Sequence, residues 1–180
     1  RKAEAREVIA QAISLIEKNQ FEKADLLVGA IPSSDAADVG MEVFRPLGDW
    51  AAQKGDWKRA AEYYSVVVRL DRFERTGVSS RDYTRYAVVL AELGEHAAYE
   101  NFCREPIKRF SNIKDTIIAE RIVKNSLLLP PSPELLASLT PLVNRIEQSI
   151  PTNVLSAPYN DTVPWRCMAL SLLNYRGGDY

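Results

Sequence analysis

Three short stretches of this chain share one pattern, and it leaves little freedom in how the chain folds. Asn19-Gln20-Phe21-Glu22-Lys23-Ala24, Gly55-Asp56-Trp57-Lys58-Arg59-Ala60 and Gly94-Glu95-His96-Ala97-Ala98-Tyr99 each place a turn residue two positions before a ring. The ring positions are 36 and 39 residues apart, and Gly178-Asp179-Tyr180 follows after 84 more, room for two further units. Between these fragments the apolar residues recur at three and four. Even the β-branched run Val66-Val67-Val68 belongs to such a series, Ala60, Ala61, Tyr64, Val67 and Val68, which is a helical period. A period of roughly 34 to 40 residues in a helical chain means hairpins that cannot bury their apolar faces alone and so must stack on their neighbours. The expected fold is all-α, a helix-hairpin solenoid of about nine helices.

The spacing predicts helices over roughly 2–18, 21–30, 35–54, 57–71, 80–93, 96–110, 114–129, 133–149 and 163–176. Asp35 after Ser33-Ser34, Ser79 with Asp82, and Ser132-Pro133-Glu134 read as helix starts, because a short side-chain oxygen caps orphan N–H groups and proline fits the first turn. Gly55, Gly94 and Gly177 read as stops. Pro46, Pro106 and Pro141 fall inside predicted helices, where a lost N–H and a clash with the preceding turn predict a bend or a split.

Composition removes several function classes. With 46% apolar and 26% charged residues, the 180-residue chain matches globular proteins and not disordered ones. A net charge of −1 argues against a dedicated binder of nucleic-acid backbones. No apolar run approaches the roughly 20 residues that span a bilayer, so no membrane insertion by this segment is expected. Cys103 and Cys167 lie 64 residues apart with no CxxC, which signals neither a disulfide framework nor a zinc site, and the cell compartment stays open.

Phe44, Leu47, Gly48, Ala51, Gly55, Trp57, Ala60, Tyr64 and Val67 fall at the intervals of the tetratricopeptide repeat, and this stretch resembles that family. The resemblance implies a right-handed superhelix in which small residues such as Gly48 and Ala60 lie where two helices cross closely. Val8, Ala12, Leu15, Phe21, Ala24 and Val28, and then Tyr83, Ala87, Leu90 and Gly94, keep the skeleton, although Tyr99 takes a position where the repeat has a small residue; residues 114–149 have lost it. A second likeness lies in the run Tyr86-Ala87-Val88-Val89-Leu90-Ala91-Glu92-Leu93-Gly94-Glu95, in Tyr99-Glu100-Asn101-Phe102-Cys103-Arg104, in Arg109-Phe110, and in Ala119-Glu120-Arg121 with Leu127-Leu128-Leu129-Pro130. From about residue 40 to 180 the chain resembles the repeat-containing C-terminal region of large multidomain bacterial serine/threonine protein kinases. Length and repeat together read as a single repeat domain over 1–180, expected to be a fragment of a longer multidomain chain. The glycine-rich loop, the HRD-type catalytic loop and the DFG motif of the kinase half are absent here, so kinase activity does not carry over.

Catalytic chemistry has little to build on. His96, the only histidine, sits in the ring slot of a turn without metal-ligand spacing around it, and reads as a packed or solvated imidazole. Cys103 lies on an apolar stripe with Phe102 and Tyr99, where a thiol serves as a small hydrophobe. No P-loop, GxGxxG or EF-hand ladder is present, and neither a metal nor a cofactor is expected. Of the aromatic series Phe44, Trp50, Trp57, Tyr63 and Tyr64, only Trp50 and Tyr63 fall off the packing stripe and read as surface contacts.

The chain therefore reads as a non-enzymatic interaction module. The tetratricopeptide register implies a concave groove lined by the first helix of each hairpin, here by Arg45, Asp49 and Gln53 and then by Arg81, Thr84, Val88 and Glu92. Arg81 and Arg85 lie one turn apart, so two guanidinium forks are placed to meet the carboxylates or phosphate of an acidic partner protein or peptide. The partner-binding set is thus Arg45, Asp49, Gln53, Arg81, Arg85 and Glu92. The plainer alternative is a solvated cluster, since Arg69, Arg72, Arg75, Arg81 and Arg85 alternate with Asp71, Glu74 and Asp82. The carboxylate clamp of some such repeats needs Lys and Asn where this chain has Ile9 and Ile13, so that clamp is not expected. The stretch from Pro151 to Pro164 reads equally as a strap over the groove or as a connector. A structural role, docking a kinase domain or mediating weak self-association, is the alternative function. The last predicted helix, with Trp165, Met168, Ala169, Leu172 and Leu173, should pack one side on the 133–149 segment and leave another apolar side uncovered, an expectation tied to a natural chain that continues past Tyr180.

Overall fold

The three-and-four spacing is realised as ten α-helices with no strand among the described residues, which are 2–29, 41–70, 76–151 and 162–178 of a computed structural model. The predicted start at Asp35, Arg72 and Arg75, most of the 151–164 stretch, and Tyr180 lie outside them. By contacts the chain divides into two compact units, Arg1–Leu93 and Gly94–Tyr180.

The first unit holds α1 (Lys2–Glu17), α2 (Phe21–Val28), α3 (Met41–Gln53), α4 (Trp57–Leu70) and α5 (Thr76–Glu92). Helix α1 packs on α2, α3 on α4, and α4 on α5, while α3 also meets α1 and α2. The turn residue of every fragment named above has a positive φ: Asn19 at 56°, Gly55 at 74°, Gly94 at 68° and Gly178 at 82°. That conformation is cheap for glycine and tolerable for asparagine, which is why those two residues recur at this position. The left-handed cap after the last helix is therefore Gly178, one residue beyond the predicted stop at Gly177.

Small residues set the helix spacing. At Gly48 of α3 an added Cβ would land 2.6 Å from the Tyr64 ring of α4, so the two helices cross with no room for a side chain. Ala51, Ala60, Tyr64 and Val89 form one core cluster at that crossing. A second joins Ile9, Ala12, Ala24, Val28, Val43, Phe44, Leu47, Tyr63, Val66 and Val67 from the first four helices. Tyr63, expected at the surface, is 4% exposed, because its ring packs on Phe44 and its hydroxyl bonds Asp25. Trp50 is half-buried: Phe21 stacks on its ring and the Lys54 ammonium lies 4.1 Å from the ring centroid.

The second unit holds α6 (His96–Phe110), α7 (Thr116–Ser126), α8 (Pro133–Ser138), α9 (Thr140–Ser149) and α10 (Val163–Gly177). Ten helices replace the expected nine because the 133–149 segment breaks at Leu139, with Pro141 in the first turn of α9. Helices α3 and α6 run through Pro46 and Pro106 unbroken. Ser132 caps α8 as predicted, accepting from the Leu135 amide. Asp115 caps α7 by accepting from the amides of Ile117 and Ile118. The predicted start at Ser79 falls inside α5, which begins three residues earlier, at Thr76.

Helix α7 is the centre of this unit, packing on α6, α9 and α10. Tyr99 explains why the repeat pattern lapses here. Its buried hydroxyl donates to the Asn125 carbonyl and accepts from the Leu128 amide at 3.1 Å, so the ring that replaces a small residue caps the end of α7. Glu100, the next residue, accepts from the Ser132 hydroxyl and holds the start of α8.

Candidate functional site

Arg45 and Asp49 project from α3 one turn apart, and Asp82 and Arg85 project from α5 in reversed order of charge. The sequence thus matches opposite charges across two helices of the first unit. Arg45 grips Asp82 in bidentate fashion, Nε to Oδ1 at 2.8 Å and Nη2 to Oδ2 at 2.6 Å. Arg85 joins the two acids, with Nη1 at 3.0 Å from Asp82 Oδ1 and Nε at 2.9 Å from Asp49 Oδ1. Tyr64 of α4 completes the chain by donating to Asp49 at 2.6 Å. Burial, reinforced by Asp49, raises the Tyr64 hydroxyl above the ordinary tyrosine range, which keeps it a donor.

Asp82 is fully buried and both of its oxygens are held by guanidinium groups; a carboxylate taken out of water without such partners is strongly destabilising. The network pairs two cations with two anions. Of the predicted set, then, Arg45, Asp49 and Arg85 are brought together, but their forks are directed to internal carboxylates. Arg81, Gln53 and Glu92 are exposed. On α5, Arg81, Val88 and Glu92 follow one another at seven and four residues, so they share a helix face, and Val88 is an exposed apolar residue in it.

A second network lies between α2 and α4. Asp25 accepts from Arg59 Nε at 2.9 Å and from the Tyr63 hydroxyl, and Arg59 also reaches Glu62 at 2.8 Å. Burial, aided by Asp25, raises Tyr63 as well. Glu22 and Lys54 pair at 2.6 Å across the same hairpins, and this bond lowers the Glu22 carboxyl. Arg59, Glu62, Tyr63 and Arg69 border a hollow of about 380 Å³ beside Val28 and Phe44.

Sequence reading missed Asp82 and Asp25, yet a signal for them exists. The bonded pairs Arg45–Asp82, Arg85–Asp49, Arg59–Asp25 and Tyr63–Asp25 are separated by 37, 36, 34 and 38 residues, one repeat length each, and Lys54–Glu22 by 32, slightly less. Searching for complementary charges at the repeat period would have found them.

Elsewhere, His96 is exposed. Cys103 is buried with its sulfur 3.8 Å from the Asn125 carbonyl, and burial pushes its thiol up to about 11, so little thiolate forms at neutral pH. Among the described residues no group of three or more His, Cys, Asp or Glu side chains is arranged to hold a metal ion. No helix among them is long and apolar enough to cross a membrane. Comparison with protein-family models, with curated proteins and with solved structures finds no match to the chain.

Proposed function

We propose that the chain is a protein-interaction module of tetratricopeptide type within a bacterial signalling protein of the kinase class it resembles, and that the face carried by α3 and α5 receives a segment of a partner protein. The observation behind this reading is the set of bonded pairs one repeat apart in the first unit, together with the Gly48–Tyr64 crossing. Stacked hairpins present equivalent helices side by side, and such surfaces serve extended or helical partner segments. The reading is non-catalytic: the buried thiol of Cys103 is held in its unreactive form, and the charged residues of α3 and α5 bond one another.

In this reading the networks also narrow what the face can receive. Since Arg45 and Arg85 have acids of their own, the face offers an anion chiefly the exposed Arg81, beside the apolar Val88 and the polar Gln53 and Glu92. A segment with one acidic residue next to an apolar one fits that order. The test is a pull-down with the whole chain as bait, followed by titration of the recovered partner. Arg81→Glu should weaken binding by ~1.5 kcal/mol or more, about tenfold, and added salt should weaken the wild-type complex. Unchanged affinity in Arg81→Glu would move the site off α5. Recovery of only the chain itself or of a kinase domain would favour a docking or self-association role.

A further inference from the structure

Helix α10 is fastened to the rest of the second unit largely by arginine. Of its 15 residues only Val163, Arg166 and Ala169 are fully buried, while Trp165 is 53% exposed, Met168 46% and Tyr175 58%. The two apolar side chains among the three are small, so apolar burial holds α10 weakly beside α7, which buries Ile118, Ala119, Ile122 and Val123. Arg166 donates to the Ser149 carbonyl at the end of α9 (3.1 Å) and to the Thr162 hydroxyl (2.8 Å). Arg176 donates to the carbonyls of Leu127 and Leu128 just past the end of α7, at 3.1 and 2.9 Å. Carbonyls at helix ends have no partner within their own helix, and water can take the place of either arginine.

Arg166 also opposes the docking that it helps to make. It is 8% exposed, its Nε is buried without a hydrogen-bond partner, and among the described residues its guanidinium meets neutral oxygens with no carboxylate to balance it. Such a charge regains its hydration when the helix leaves. The receiving end, by contrast, is held in place independently. Tyr99 of α6 accepts from the Leu128 amide of the same peptide group whose Leu127 carbonyl Arg176 grips, so α6 fixes that peptide with or without α10. We propose that α10 is a releasable arm, which detaches from α7 and α9 while α6 to α9 stay folded, an opening smaller than that of the second unit as a whole. Leu173, Asn174 and Gly177 of the arm wall a hollow of about 400 Å³ against Leu136, Ala137 and Val143, so release takes that hollow apart. The device lies wholly within the second unit and does not depend on the reading of α3 and α5.

Native-state hydrogen exchange on the full chain, followed residue by residue, tests it. A detached helix of this length is marginal in water, so its amides exchange together. Those from Met168 to Leu173 should share one opening, populated at least about tenfold more than the opening of Ile118 to Val123 in α7. Arg176→Gln should speed exchange in α10 about tenfold further and leave α7 unchanged. Arg166→Met keeps the length and removes the buried charge, so it should slow exchange in α10, the reverse of what losing a merely structural bond would do. Circular dichroism checks that both variants keep the helical fold; should Arg166→Met fail to fold, the wild-type and Arg176→Gln rates still decide. One opening shared by α10 and α7 in the wild type would make the helix part of the α7 core and overturn the proposal. So would protection that fades gradually inward from Gly177, which is fraying, an Arg176→Gln chain with unchanged rates, or a folded Arg166→Met chain in which α10 exchanges no more slowly.

Discussion

The hydroxyl of Tyr99 shows how a single atom fixes a segment. It serves the Asn125 carbonyl and the Leu128 amide at once, inside a pocket closed to water, so nothing replaces it when it is removed. Tyr99→Phe keeps the ring and should cost about 1–3 kcal/mol, the penalty of leaving buried polar groups unmade. The same residue has a pH signature. Burial raises Tyr99, Tyr63 and Tyr64 above the ordinary tyrosine value of about 10, so the folded chain holds these protons more tightly than the unfolded one. Their stabilising contribution is complete below that pH and is lost as pH rises through the raised folded values. Urea denaturation from pH 7 to 11 should therefore show stability falling above pH 10, and falling less steeply in Tyr99→Phe. Identical slopes in the two proteins would remove Tyr99 from the account.

At the scale of elements, the α3–α4 crossing balances two opposed effects. Gly48→Ala gains about 0.5–1 kcal/mol of helix propensity, but its methyl group would sit 2.6 Å from a ring that Asp49 holds by its hydroxyl. The clash should prevail, for a net loss of about 1–3 kcal/mol, with Ala60→Leu on the facing helix costing a similar amount and the exposed Lys58→Leu nearly nothing. In a Tyr64→Leu background the ring is gone and Gly48→Ala should become neutral or stabilising; thermal melts of the four combinations decide it. Much of this was legible in the sequence because it is local: a turn that needs positive φ selects Gly or Asn, and a close crossing selects a small residue. The start of α5 was misread for the same reason, since Ser79 and Asp82 make a plausible cap in isolation, whereas Asp82 is committed to Arg45, 37 residues away. Cross-helix pairs acquire meaning only once the hairpins are stacked.

For the whole molecule, the division after Leu93 falls within the third repeat-like segment, between α5 and α6. The first unit follows the repeat period in its bonded pairs. The second does not: its defining bonds span 26 residues for Tyr99 to Asn125, 17 for Arg166 to Ser149 and 49 for Arg176 to Leu127. No periodicity announces contacts of that kind, which is why the sequence foretold helices 96–110 and 163–176 well and their packing poorly. Each unit has a core of its own, one centred on the α3–α4 crossing and one on α7, so each should open as a cooperative unit with its own free energy. Native-state hydrogen exchange tests this with two substitutions already argued. Gly48→Ala should speed exchange of the slow amides in α3 and α4 and leave those of α7 unchanged, while Tyr99→Phe should do the reverse. Both substitutions removing protection equally from all ten helices would mean a single cooperative fold, in which damage to the repeat-like unit and damage to the α7 layer cannot be told apart.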